Sequence, residues 1–164
     1  MIDRTLESAA AAYAQARSLT LAERLGHGMH GIVFVAENNT FPGKFAVKIH
    51  RQPEPYYRER EIYERLREQR VSQISGCNVP RLLHAEDTHL AVEMTIVSRP
   101  FVLDFGGAYL DEPPDFPPNV WDEWRADKAE QFGEDWNRVE LILTELRLMG
   151  IHLLDVHSGN IALH

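Results

Sequence analysis

One cysteine, Cys77, occurs in 164 residues, which excludes an internal disulfide and a cysteine-rich zinc site. A reducing cytoplasm is the default compartment for such a chain. Positive charge is also scarce: 17 Lys and Arg stand against 25 Asp and Glu, a formal charge of −8. Nonspecific contact with nucleic acid needs a basic surface to neutralise phosphates, so that partner class is not expected. No uninterrupted apolar run is long enough to cross a bilayer, and no membrane span is expected. The histidines lack a paired spacing such as H-E-x-x-H, so no zinc site is expected either. The segment RTLESAAAAYAQARSL has no basic start followed by a pure apolar run, and Asp3 and Glu7 flank or occupy it. It reads as an amphipathic docking helix within residues 1–20, unlike a leader peptide.

With 44% hydrophobic residues and mixed charge, the chain has the composition of a folded domain of one or two small lobes. Apolar residues alternate or cluster around glycines at 19–27 and 31–38, and the turn-forming NNTFPGK precedes the apolar FAVKIH at 45–50. These predict three antiparallel strands. From Pro55 to about Arg70, Tyr56, Glu59, Ile62, Tyr63 and Leu66 recur at helical spacing, which predicts one amphipathic helix. Gly76, Asn78 and Pro80 break the chain, and RLLHAE and HLAVEMTIV read as two further strands with a turn near Asp87. Then come a short apolar strand ending at Gly106 and Gly107 and a proline-rich connector at 111–119. A helical pattern from Val120 to Met149, interrupted at Gly133 and closed by Gly150, completes this stretch. Trp121, Trp124, Phe132 and Trp136 in that pattern are read as packing residues.

Three motifs carry chemistry. Gly26, Gly28 and Gly31 fit G-x-G-x-x-G, with Val33 following. Absent side chains let backbone amides approach phosphates, although glycines also serve ordinary tight turns. A strand on each side separates this loop from the dinucleotide fingerprint, which needs a helix at the last glycine. Lys48 ends A-V-K in the third strand, where burial would hold an ammonium for phosphate; the competing reading is a solvated edge lysine. Asp155, His157, Gly159 and Asn160 form D-x-H-x-G-N directly after an apolar helix, or else a polar turn leading into a strand.

In that order, glycine loop, lysine strand and D-x-H-x-G-N resemble the protein-kinase-like superfamily, and the last motif resembles the aminoglycoside and choline kinase branch. The resemblance covers about residues 21–163. It implies that Gly26, Gly28, Gly31, Val33 and Lys48 bind ATP and that Lys48 pairs with a helix glutamate, Glu59 or as second choice Glu61. It further implies that Asp155 accepts the acceptor's proton, Asn160 binds Mg²⁺ and His157 braces the loop. One departure is Leu153, where the family has a histidine two residues before the aspartate. A second concerns order: the family's second metal-binding aspartate follows the catalytic loop, whereas the DFG of Asp104, Phe105 and Gly106 precedes it here. A rewired chain order, with the 101–103 strand beside 161–163, would let Asp104 take that role. The competing reading is an aspartate in an ordinary strand turn.

The fold expectation is a minimal protein-kinase-like α+β architecture. A five-stranded antiparallel small lobe with one helix spans 21–98, and a reduced helical large lobe spans 99–164. The functional expectation is an ATP- and Mg²⁺-dependent phosphotransferase acting on a hydroxyl of a protein or small molecule in the cytoplasm. The alternative is a catalytically inactive nucleotide-binding or protein-interaction module. An APE-like segment that marks a protein-substrate platform is absent, so both acceptor classes stay open.

Overall fold

A computed structural model of the chain describes residues 4–164, so residues 1–3 of the expected first helix lie outside the described residues. Helix α1 (Arg4–Arg17) leads into β1 (Thr20–His27), β2 (Gly31–Glu37) and β3 (Phe45–His50). Helix α2 (Pro53–Glu68) follows, then the short strands β4 (Gln73–Ile74) and β5 (Cys77–Asn78), and the longer β6 (Leu82–Glu86) and β7 (Ala91–Met94). Strands β1, β2, β3, β7 and β6 form, in that spatial order, an antiparallel five-stranded sheet. The fold is α+β with mainly antiparallel sheets.

Strand β3 lies in the middle of this sheet and is buried along its whole length. Side chains alternate between the two faces of a strand, so Phe45, Val47 and Ile49 share one face and Ala46, Lys48 and His50 the other. The first face packs with Leu6, Ala10 and Tyr13 of α1 in one apolar cluster. The second face looks toward α2, whose Tyr56, Glu59, Ile62, Tyr63 and Leu66 are buried. Those positions form one stripe along the helix because residues three or four apart stack on the same side. A charged residue in such a stripe needs a partner, and the β3 face supplies it.

Beyond the sheet, β8 (Phe101–Val102) and β9 (Ala108–Leu110) flank the DFG turn, and α3 (Pro118–Phe132) begins after the proline-rich stretch. Pro118 opens α3, where its missing N–H would have no helical partner in any case. A 3₁₀ turn at Gly133–Asp135 separates α3 from α4 (Trp136–Leu148), so the glycine divides the helical pattern as its spacing implies. Gly150 ends this stretch with a φ of 76°, a left-handed conformation that side chains disfavour. Strand β10 (Ile151–Leu153) pairs antiparallel with β9, and β11 (Ile161–Ala162) pairs antiparallel with β8.

Two elements differ from the sequence expectation. The residues around Gly76 form a small β4–β5 hairpin instead of a plain break, and β5 pairs in parallel with β8 at Asn78 and Phe101. Residues 108–110 and 151–153, for which the local pattern predicts no strand, form β9 and β10 and pair with each other. These strands are two or three residues long, and the pairing of β5 with β8 and of β9 with β10 joins distant segments that local periodicity does not register. One continuous core joins α2, the small strands and α4 through Tyr63, Leu66, Ile74, Val102, Phe105, Ile142 and Leu146 among others. Helix α3 contributes no fully buried residue and attaches through the half-buried Trp124 and Phe132. Among the described residues no helix is long and apolar enough to cross a membrane.

Candidate functional site

Lys48 and His50 leave β3 on the same face, and both reach Glu59 of α2. Lys48 Nζ lies 2.7 Å from Glu59 Oε2, and His50 Nε2 lies 2.5 Å from the same oxygen. The other carboxylate oxygen, Oε1, accepts the backbone N–H of Phe105 at 3.2 Å. Lys48 Nζ also donates to Asp104 Oδ1 at 2.9 Å. The lysine therefore bridges a helix carboxylate and the aspartate of the DFG turn. His50 is held at its other nitrogen by the Leu90 carbonyl at 3.1 Å.

Burial by itself would push the Glu59 carboxyl upward, but the Lys48 charge and the His50 hydrogen bond outweigh it and bring it down to about 2. Burial opposes the charge of Lys48 as well, yet Glu59 and Asp104 raise its pKa above the ordinary value. Both groups are thus ionised at neutral pH, in a place where neither would be ionised alone. Burial, with the carboxylates of Glu59 and Asp104 nearby, also pushes the Tyr63 hydroxyl well above its ordinary range. Its ring meets Phe105 edge-on at 5.3 Å, anchoring the DFG turn to α2.

Asp104 adopts a φ of 67°, in the left-handed region that few non-glycine residues occupy. That conformation turns the chain from β8 so that Asp104 meets Lys48 while Phe105 enters the core, where it is fully buried. The same segment runs beside the D-x-H-x-G-N loop. The Leu103 N–H donates to the Asn160 carbonyl at 2.9 Å, extending the β8–β11 pairing to the residues that carry the motifs. At the other end of the turn, a Cβ on Gly107 would stand 3.2 Å from Asp155 Cβ. The expected neighbourhood of residues 101–103 and 161–163 is therefore present, and the 103–107 segment passes directly alongside Asp155 and Asn160.

Within the loop, Asn160 is buried and ties the turn together. Its side-chain Oδ1 accepts the His157 N–H at 2.9 Å, and its Nδ2 donates to the Asp155 carbonyl. His157 accepts the Gly159 N–H at Nδ1, 3.0 Å away, and its Nε2 stands 3.6 Å from Asp155 Oδ1. Apolar Leu153 is buried. The bracing is thus internal to residues 155–160. Trp124 Nε1 adds a link from α3 by donating to the Leu154 carbonyl at 3.3 Å.

The glycine loop joins β1 to β2. The Gly28 N–H donates to the Gly31 carbonyl at 2.9 Å, and the Arg51 N–H donates to the His30 carbonyl at 2.8 Å. Gly31 is glycine for a packing reason: a Cβ there would lie 2.1 Å from the Ile49 carbonyl oxygen. Gly26 and Gly28 have no such reason, since a Cβ on either meets nothing within 4 Å. Val33 stands opposite Lys48 in the β2–β3 register. Glu61, the second choice for the lysine partner, is exposed on α2.

Lys48, Glu59 and Asp104 are thus in direct contact, and Asp155 and Asn160 share one loop beside them. His50, His30 and the Phe105 N–H were not anticipated. The alternation of β3 could have pointed to His50, because it stands two residues after Lys48 on the same face; no local signal marks the other two. Two surface cavities, of about 560 and 530 Å³, lie away from these residues. Trp124, Trp136 and Arg147 help to line the first, and Arg17, Phe41 and His84 the second.

Among the described residues no cluster of three or more His, Cys, Asp and Glu side chains is placed to hold a metal ion. Asp104 and Asn160 nevertheless offer hard oxygen atoms on adjacent paired segments. Asp104 Oδ1 accepts from Lys48 Nζ and Asn160 Oδ1 from the His157 N–H. No family model, curated protein or solved structure matches the chain.

Proposed function

We propose that this chain is an ATP- and Mg²⁺-dependent phosphotransferase with a minimal protein-kinase-like fold, in which the DFG segment precedes the catalytic loop. The observation that carries this reading is the meeting of Lys48, Glu59 and Asp104 beside the paired strands β8 and β11. A buried lysine fixed between two carboxylates keeps its charge and its aim. The pairing of β8 with β11, continued by the Leu103 N–H to the Asn160 carbonyl, supports a reading in which Asp104 and Asn160 serve one site.

In this reading Lys48 neutralises phosphate oxygens of the nucleotide, and the amides of Gly26–Gly31 cover the phosphate chain. The side chains missing at Gly26 and Gly28, which the fold does not require, leave room for that approach. Asp104 and the free lone pair of Asn160 Oδ1 would hold Mg²⁺, which when bound offsets charge on the transferred group. Asp155 orients the acceptor hydroxyl and takes its proton as the new oxygen–phosphorus bond forms. The bond from the terminal phosphorus to the bridging oxygen breaks, and ADP leaves with that electron pair. Most of the rate then comes from positioning and charge complementarity. The acceptor is a hydroxyl of a protein or a small molecule, and the lone buried cysteine and acidic surface suit a cytoplasmic protein that avoids nucleic acid.

A catalytically inactive nucleotide-binding or interaction module is the second reading. It is favoured by the engagement of Asn160 Oδ1 with the His157 N–H, which occupies part of its acceptor capacity. Mg²⁺-dependent ATP binding by calorimetry, and ATP turnover across an acceptor panel, separate the two for the natural chain, Lys48→Ala and Asp155→Asn. The enzyme reading expects binding lost in the first variant and turnover lost, by at least about 100-fold, in the second. Binding without turnover in the natural chain would favour the nucleotide-binding module, and no nucleotide binding would refute the phosphotransferase and favour the interaction module.

A further inference from the structure

His30 sits between the second and third glycines of the loop, and its imidazole occupies a slot that Gly106 and Gly107 leave open. A Cβ on Gly106 would lie 3.2 Å from both Cγ and Cδ2 of the ring. At Gly107 the projected Cβ position lies 3.5 Å from His30 Nε2 and 4.0 Å from Asp155 Oδ2. The imidazole nitrogen and the Asp155 carboxylate thus both lie beside Gly107, although they come from opposite ends of the chain. The backbone fixes this approach, because the His30 carbonyl is held by the Arg51 N–H where β3 ends.

We propose that His30 is a catalytic residue that donates a hydrogen bond from Nε2 to the terminal phosphate of the bound nucleotide. The inference rests on the phosphotransferase reading above. An acceptor hydroxyl oriented by Asp155 must lie about 3–3.5 Å from the phosphorus it attacks. A group from the glycine loop that lies with Asp155 beside Gly107 therefore faces the transferred phosphoryl, whereas Lys48 is engaged deeper, with Glu59 and Asp104. The site gathers the carboxylates of Glu59, Asp104 and Asp155, so an N–H donor aimed at the phosphate has a clear electrostatic use. The imidazole is not consumed: the acceptor's proton goes to Asp155, and the leaving bridging oxygen keeps the bond's electron pair.

A ring that merely filled the slot would be replaceable by another flat ring. His30→Phe preserves the ring and removes the donor, whereas His30→Gln keeps a donor without the ring. The expected result is a kcat about 100-fold lower in His30→Phe with KM for ATP nearly unchanged, and partial recovery in His30→Gln. Imidazole nitrogen resonances of the natural chain give a readout independent of turnover. The His30 Nε2 signal should shift with Mg²⁺ and the β,γ-imido analogue of ATP, and far less with Mg²⁺ and ADP. If the natural chain binds the analogue but the His30 signal stays put, or if His30→Phe turns over as fast as the natural chain, the role of His30 is refuted and the phosphotransferase reading stands. If the natural chain binds no nucleotide, the phosphotransferase reading fails and His30 with it.

Discussion

Lys48 Nζ and Asp104 Oδ1 are 2.9 Å apart although 56 residues separate them in the chain. The contact ties the central strand of the large sheet to the turn that follows β8. It exists because Glu59 holds the lysine from one side and offers its second oxygen to the Phe105 N–H, so one carboxylate positions both partners. Loss of Glu59 would therefore disturb the lysine and the DFG turn together.

The pH dependence of stability should carry the mark of Glu59. Its folded-state pKa is depressed to about 2 from an ordinary 4.5, so the stability it contributes is present above pH 4.5 and disappears as pH falls toward 2. A shift of that size corresponds to on the order of 3 kcal/mol. Denaturant unfolding followed by tryptophan fluorescence between pH 6 and pH 2 should show a loss across that window that is smaller in Glu59→Gln. An identical slope in both proteins would contradict the assignment.

The loop glycines should separate into two kinds. Gly31→Ala drives a Cβ toward the Ile49 carbonyl and must open the β2–β3 pairing, at a cost of roughly 3 kcal/mol. Gly28→Ala meets no atom and should alter stability by less than about 0.5 kcal/mol, while weakening Mg²⁺–ATP binding about tenfold. Thermal melts and titration calorimetry on both variants check the division. Equal destabilisation by the two changes would count against it.

Gly107→Ala tests the closeness of the DFG turn to the loop at residues 155–160. The new methyl would press on Asp155 Cβ from 3.2 Å and displace it by a few tenths of an ångström, while making ordinary contact with His30 Nε2 at 3.5 Å. A shift of a few tenths of an ångström is a fraction of the roughly 1 Å that can cost about 100-fold in rate, so on the phosphotransferase reading kcat should fall several-fold with ATP affinity largely kept. Single-turnover measurements would show whether the step lost is the chemical one.

The seat of α1 depends on a buried acid on the sheet face that this helix covers. Glu93 of β7 receives the Tyr13 hydroxyl at 2.7 Å and Arg17 Nε at 3.1 Å. Burial, reinforced by the Glu93 carboxylate, pushes the Tyr13 hydroxyl upward in pKa, so it remains a donor throughout the neutral range. Tyr13→Phe combined with Arg17→Ala would leave that carboxylate buried and unpaired, a loss of about 3 kcal/mol. Adding Glu93→Gln should restore a substantial part of it, as read from chemical denaturation of the three proteins.

Much of the sheet and its helices is legible in local pattern. Alternation in FAVKIH places Lys48 in a strand, the spacing of Tyr56, Glu59, Tyr63 and Leu66 writes the buried stripe of α2, and Gly133 and Gly150 mark the helix boundaries. The minor strands are not legible, because β4, β5 and β9 are too short to show a period and acquire their partners only across the fold. For His50 the sequence offers only the alternation of β3, which puts it on the face of Lys48 without naming a partner. His30 was passed over because its neighbours, Gly106 and Gly107, come from a segment far along the chain.

Residue types alone set which chemical groups are available, and local periodicity places Lys48 in a strand and Glu59 on the apolar stripe of a helix. A charge in such a stripe has to find a counter-charge. Only the tertiary structure decided that residues 101–107 and 155–162 lie together. The pairing of β8 with β11, together with the left-handed turn at Asp104, is a long-range contact that no local preference encodes. It brings the aspartate of one motif beside the asparagine of another, although their order along the chain is reversed from the family that they resemble.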